Sequence, residues 1–313
     1  MPLCVFDIYP DGTAEVPQDE SLTGPGTYRW WHFDLADPAL PGWVAANLPP
    51  IPAGALLQPE TRPRCDRFAD GIILNLRGIN LNAGEDADEM VSVRLWVDSD
   101  VIITVRMRKV FTIDDIRRQT EADNPPPTTA DFLEVLISRL TQRIEQEVVK
   151  IADITEFYED DLEDETTPIP KDLSETRRRV IRLRRYLEPQ QAALDRLIEI
   201  NMPIIPEPDT LRIRESANRT TIAVEELNAL RERLITVQDE HDLYVARKQA
   251  RHGYVLSIAA AVFLPLSFLT GLFGVNVGGM PGVGSPWAFT LLCLGMTLLV
   301  LVLLVLLKWL RWL

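Results

Sequence analysis

The chain has 313 residues, enough for one to three domains, and 46 acidic residues against 32 basic ones give a formal charge of -14. That balance argues against nucleic acid as a partner, because such binding rests on basic contacts to phosphate. Cys4, Cys65 and Cys293 are far apart and odd in number, so they suggest neither a disulfide framework nor a zinc-finger spacing, and the soluble part reads as intracellular.

Met1-Pro2-Leu3-Cys4-Val5-Phe6-Asp7 lacks the basic n-region and apolar core of a signal peptide. Over residues 1–127 strand and helix signals alternate, which predicts a compact α/β domain. Strand-like runs fall at Cys4–Ile8, Tyr28–Leu35, Gly71–Leu76, Val91–Val97 and Val101–Val105. The polar Asp98-Ser99-Asp100 between the last two predicts a β-hairpin. A short helix opens at Asp37-Pro38 and stops at Pro49-Pro50, and another covers Asp114–Glu121.

Asn124-Pro125-Pro126-Pro127 breaks the chain, and Thr128 or Thr129 can cap the next helix. Leu133, Leu136, Leu140, Ile144, Val148 and Ile151 recur at helical spacing. This helix ends in the acidic run Glu159–Glu165. A second helix starts at Asp172, with Glu175 completing a capping-box pattern. It carries Arg177, Arg178, Arg179, Arg182, Arg184 and Arg185. Residues 128–207 thus read as a helical hairpin in which the acidic and basic blocks pair.

From Asp209 no proline or glycine occurs before Gly253, so one helix is expected from about Asp209 to Phe273, with residues 208–252 as a stalk. Val224, Leu227, Leu234 and Val237 form its apolar stripe. An exposed amphipathic helix of that length is not stable alone, so the preceding helices and further copies of the chain are its natural partners.

Residues 253–273 and 287–307 contain no charged side chain and are long enough to cross a hydrocarbon core of about 30 Å. The uncharged loop 274–286 joins them. Arg247, Lys248 and Arg251 precede the first span, and Lys308 and Arg311 come after the second. The positive-inside rule then puts both termini, and the tail 308–313, in the cytoplasm. Two spans cannot enclose a pore, but several copies can. The first span is rich in small and hydroxyl residues, which suits packing around an axis. The second is nearly all Leu and Val, which suits a lipid-facing ring. Counting back from Asn276 at helical spacing, Ser267, Leu264, Ala260 and Leu256 share one face. Such a lining suits a hydrated ion, with apolar constrictions as gates.

Asp239, Glu240 and Asp242 precede the first span. An inward-facing member, with Asp239 the better fit and Asp242 the second candidate, would become a ring of carboxylates by symmetry. His252 is the nearest titratable group to the inner end of the span and the candidate for proton coupling. His32, His241 and Cys293 share no metal-ligand spacing. No nucleophile motif, phosphate loop or H-E-x-x-H occurs, so neither an enzyme nor an ATP-driven pump is expected.

Phe273-Gly274-Val275-Asn276, then Gly278-Gly279-Met280-Pro281-Gly282, resembles the Gly-Met-Asn signature of CorA-type divalent-metal transporters, in the Gly-Val-Asn form of their zinc-transporting ZntB branch. Phe263–Phe273 resembles that branch too, as does the order of parts. The resemblance implies a funnel-shaped homopentamer in a bacterial inner membrane, with a cytoplasmic α/β domain, long stalk helices and two C-terminal spans. It implies a pore lined by the first span, with Gly271, Gly274 and Val275 near its outer mouth and a ring of Asn276 carboxamides there. Gly274, Gly278 and Gly279 would permit the outer turn. The cargo implied is Zn2+, taken up with or without protons, and no tightly bound cofactor. A Mg2+, Co2+ or Ni2+ channel is the alternative within the family. A membrane-anchored cytoplasmic scaffold is the alternative outside it. Many magnesium-type members carry an acidic residue after the loop's Met-Pro, whereas Gly282-Val283-Gly284-Ser285 has no carboxylate.

Overall fold

A computed structural model of the chain describes residues 1–163, 172–274, 282 and 284–309, and these form two compact units, Met1–Gln238 and Asp239–Leu313.

The first unit is built on a seven-stranded sheet: β1 (Cys4–Ile8), β2 (Ala14–Glu15), β3 (Tyr28–Asp34), β4 (Arg64–Phe68), β5 (Gly71–Gly78), β6 (Val91–Val97) and β7 (Val101–Arg106). The strand order is β2-β1-β3-β7-β6-β5-β4. All neighbours are antiparallel except β3 and β7. The hairpin expected at Asp98-Ser99-Asp100 is present, closed by Asp98 N–H donating to the Val101 carbonyl at 2.9 Å. Two strands were not expected from the residue pattern: β4, whose Arg64, Asp66 and Arg67 hide it, and the two-residue β2.

Both faces of the sheet are covered, which is why β6 is buried throughout, Ser92 and Arg94 included. On one face lie α1 (Leu40–Asn47) and α2 (Pro50–Leu56), the latter unforeseen because a double proline reads as a break and here opens a helix instead. On the other face lie α3 (Phe111–Glu121), α4 (Thr129–Glu163), α5 (Leu173–Glu199) and the start of α6 (Glu207–Gly274). The pleat splits adjacent tryptophans between the two layers. The Trp30 ring packs on Phe132 of α4, with centroids 5.0 Å apart, and Trp31 packs on Trp43 of α1 at 4.8 Å.

Beyond the sheet, α4, α5 and α6 share a second core. Ile144, Val148 and Ile151 meet Val180, Leu183 and Leu187, and both meet Val224, Leu227, Leu230, Leu234 and Val237. The apolar stripe of α6 is therefore buried within its own chain. Thr128 caps α4 as expected, its Oγ1 accepting from the Asp131 N–H at 3.1 Å. The capping box at Asp172 does not form. That residue is itself helical in φ and ψ, and its side chain makes no cap bond.

The pairing expected between the acidic and basic blocks falls largely on side chains outside the described residues, and three described members of the blocks have other partners. Glu159, the first residue of the acidic run, accepts from Arg233 of α6, with Nε at 2.8 Å. Arg179 instead donates to Glu147 at 2.6 Å, and Arg182 pairs with Asp88. The reason is register: α4 and α6 run parallel, so Glu145–Arg219 and Glu159–Arg233 recur along one seam. Sequence adjacency of α4 and α5 says nothing of that seam.

Arg29 and His32 are among the polar groups buried in the sheet. Arg29 is fully buried and holds Asp7 with two bonds, Nε to Oδ1 at 2.6 Å and Nη2 to Oδ2 at 2.8 Å. Its Nη1 reaches Asp19 at 2.7 Å, and that bond draws the Asp19 carboxyl down to about 2. Gly24 lies against this pair, and a Cβ there would fall 2.0 Å from Asp7 Oδ1. His32 is 1% exposed, with Nδ1 bonded to Thr104 Oγ1 at 2.8 Å, and burial pushes its pKa down to about 3.

Replacing Arg29 by Met strands the Asp7 carboxylate, and denaturant unfolding of the detergent-solubilised chain should show a loss of about 3–5 kcal/mol. His32 stays neutral in the folded chain, whereas the unfolded chain takes up a proton near pH 6.5, so stability is full above that pH and falls as pH drops toward 3. At a pH of about 5 this amounts to about 2 kcal/mol, a component that His32→Gln should remove from the pH dependence of the unfolding midpoint.

Candidate functional site

The second unit contains the carboxyl-terminal part of α6 and α7 (Ala288–Trp309), and both helices are long and apolar enough to cross a membrane. Such a helix in a soluble protein would be buried in its core. Here none of the most apolar stretch of α6 is buried, and only 6% of that of α7. Leu256, Phe263, Leu264, Phe268, Leu291, Leu298 and Val305 are all more than half exposed. A surface of that kind needs lipid or another protein against it.

Exposure along the spanning part of α6 is not uniform. Ile258, Ala259, Ala261, Val262, Pro265, Leu266 and Leu269 are half-buried. The expected pore face, Leu256, Ala260, Leu264, Ser267, Gly271 and Gly274, is exposed at every position. At about 100° per residue the two sets centre on opposite sides of the helix, roughly 170° apart. On α7 the half-buried stripe is Ala288, Leu292, Met296, Leu299, Val300 and Leu303. The two helices meet across an apolar cavity of about 790 Å³ lined by Leu269 and Phe273 on one side and Leu292, Met296 and Leu299 on the other. The side of α6 turned from α7 is therefore the one that carries Ala260, Ser267, Gly271 and Gly274, together with Leu256 and Leu264.

That side is open as well as exposed. A Cβ built on Gly271 or Gly274 meets nothing within 4 Å, so the backbone there is approachable. Ser267 keeps its carbonyl occupied by Thr270 Oγ1, which donates at 3.0 Å. The helix passes through Pro265, which lacks the N–H that would otherwise bond the Ala261 carbonyl.

Val275 and Asn276 lie outside the described residues, as do Gly278 and Gly279. Gly274 is the last residue of α6 and is itself helical. In the described part of the loop the left-handed residue is Gly282, at φ +90°, whose carbonyl accepts from the Ser285 N–H at 2.9 Å. Ser285 in turn sets the entry to α7, its carbonyl accepting from the Ala288 N–H at 3.2 Å. The spacing Gly282-x-x-Ser285 was the available signal for this turn.

Asp239, Glu240, Asp242 and His252 are exposed on α6 and enter no ion pair among the described residues. No group of three metal-ligating side chains occurs among the described residues. Within a single chain, then, nothing assembles a cation site from these carboxylates. All three cysteines are free, and Cys293 is exposed on α7.

Comparison with known proteins agrees with this organisation. The family model described as CorA-like Mg2+ transporter protein matches residues 25–308. The zinc transport protein ZntB of Pectobacterium carotovorum is 34% identical over 273 residues, 87% of this chain and 84% of that protein. The divalent cation transporter CmaX of Pseudomonas aeruginosa is 34% identical over 270 residues, 85% of this chain and 81% of its own. Among solved structures, that of full-length CmaX has a TM-score of 0.87 at 31% identity, covering 99% of this chain and 98% of that one. The CorA magnesium transporter of Methanocaldococcus jannaschii has a TM-score of 0.80 at 14% identity, which speaks for the fold alone. With a membrane-type hairpin, a soluble α/β unit and these relatives, the chain belongs to the CorA-like family of divalent cation transporters.

Proposed function

We propose that five copies of the chain assemble around the exposed face of α6 and pass hydrated Zn2+ inward across a bacterial inner membrane, both termini being cytoplasmic. The observation that carries this reading is the division of α6 into a side turned to α7 and an opposite side bearing Leu256, Ala260, Leu264, Ser267, Gly271 and Gly274. A helix with its own hairpin partner on one side, and small, open positions on the other, is suited to line an axis. The lining is mostly apolar, with one hydroxyl near the outer end, so it offers no ligand that would strip and trap the ion. Five Asn276 carboxamides at the mouth would hydrogen-bond the hydration shell of a divalent cation. Zinc as cargo is supported by the ZntB relatives. A broader divalent selectivity is the second reading, supported by the CmaX relative at the same identity.

In the pentamer Asp239 and Asp242 would each recur five times, and such a ring concentrates cations at the entrance to the spans without binding them within one chain. His252 is the titratable side chain placed to sense a proton gradient.

In sealed liposomes, Asn276→Ala should change Zn2+ flux severalfold while the pentamer still elutes intact from size exclusion; unchanged flux would remove Asn276 from the pore. Comparing Zn2+, Mg2+ and Co2+ in the same vesicles, with and without a pH gradient, should show zinc fastest and accelerated by the gradient. His252→Gln should abolish that acceleration, and a cargo order led by Mg2+ would favour the magnesium reading.

A further inference from the structure

In the first unit, the carboxyl ends of the parallel strands β3 and β7 open into a cavity of about 170 Å³ lined by Leu3, His32, Arg106, Lys109, Asp114 and Arg117. Crevices at the carboxyl ends of parallel strands are where α/β sheets bind ligands. Three cations face one carboxylate in this wall. Asp114 is engaged by Lys109 Nζ at 2.9 Å and more loosely by Arg106 Nη1 at 3.6 Å. Arg106 has a further distant partner in Asp34 at 3.7 Å, and Arg117 has one in Glu121 at 3.6 Å. None of these three long contacts is a hydrogen bond.

The cavity wall also holds three buried nitrogens without a partner: His32 Nε2, Arg106 Nε and Arg117 Nε. Leaving one buried polar group unpaired costs about 1–3 kcal/mol, and buried polar atoms nearly always find partners. Three of them on one small wall indicate a ligand that supplies acceptors. A metal ion does not fit, because two guanidinium groups and an ammonium repel it.

We infer that this cavity binds a free oxyanion of phosphate's size, held by Arg106, Lys109 and Arg117, with His32 Nε2 as a neutral fourth contact. Guanidinium N–H groups suit this task, since they give charge-assisted bonds in a fixed plane. The volume corresponds to about six waters at roughly 30 Å³ each, room for one tetrahedral anion and little for a nucleoside. His32 adapts to the protonation state of such an anion. Thr104 Oγ1 accepts from Trp30 Nε1 at 2.9 Å and has one proton to give, either to His32 Nδ1 or to the Trp31 carbonyl. In the first case Nε2 donates to a bare oxygen, and in the second it accepts from a phosphate hydroxyl. The established family function concerns cations, so the site gives the soluble unit a ligand of opposite charge.

The test is titration of inorganic phosphate into the purified full-length protein in uncharged detergent near neutral pH, with ionic strength held by NaCl and the unfolding temperature and binding heat recorded. A saturable rise is expected in the wild type. Arg117→Gln, whose long contact to Glu121 is the lesser of its roles, should weaken phosphate by about tenfold or more, and Lys109→Gln should weaken it severalfold. Arg117→Gln should keep the phosphate-free unfolding temperature close to that of the wild type. The proposal is overturned if phosphate produces no saturable response, if NaCl alone reproduces it, or if both variants respond like the wild type. It is also overturned if phosphatidylglycerol gives the Arg117-dependent response and free phosphate does not, because the ligand is then a headgroup.

Discussion

In hydrocarbon there is no water to take the hydrogen bonds of a peptide backbone, so a segment that crosses a membrane must satisfy every N–H and C=O within itself or within a closed sheet. The C-terminal quarter of this chain is shaped by that requirement. Both apolar stretches are helical, and the link between them is short and rich in glycine. Once the backbone is committed to helix, side chains alone decide which surface meets lipid, which meets the hairpin partner and which remains for other copies. On α6 the half-buried residues turn to α7, and Ala260, Ser267, Gly271 and Gly274 lie on the opposite side.

The soluble unit answers to a different constraint. A sheet covered on both faces can tolerate charge inside only when the charge is paired or, like Arg94 on the Gln58 and Pro59 carbonyls, fully hydrogen-bonded. The two-pronged contact between Arg29 and Asp7, enclosed by Gly24, meets that condition. Around this sheet α4, α5 and α6 bury a second apolar layer. The ion pairs Glu145–Arg219 and Glu159–Arg233 run along its edge at partly exposed positions, where each contributes little to stability and more to register.

Much of this organisation was legible in residue patterns. Aromatic and β-branched runs marked β1, β3, β5, β6 and β7, the triple proline marked the entry to α4, and the absence of Pro and Gly after Asp209 marked α6 as one helix. Patterns that depend on partners were not legible. Glu159, at the head of the acidic run, looked complementary to the arginine block that follows in sequence, yet the parallel course of α4 and α6 brings Arg233 to it. The capping-box spacing at Asp172 was present without its geometry, since that residue is already helical. The cavity around His32 could not be foreseen at all. Its walls come from the segment before β1, from β3, from β7 and from α3, and a histidine in an apolar strand reads as an ordinary core residue.

By itself the sequence determined the class of this protein and its division into soluble and membrane parts, because hydrophobic length, charge placement and the Gly-Val-Asn motif are local properties that survive in one dimension. It also identified the positions of α6 that share a face, since helical periodicity is local too. Only the tertiary structure decided which face of α6 is taken by α7, which arginine pairs with which carboxylate, that Gly282 is left-handed, and that three residues with unpaired nitrogens line one cavity. Each of those depends on residues far apart in the chain, and burial and hydrogen-bond satisfaction are properties of the neighbours that folding supplies.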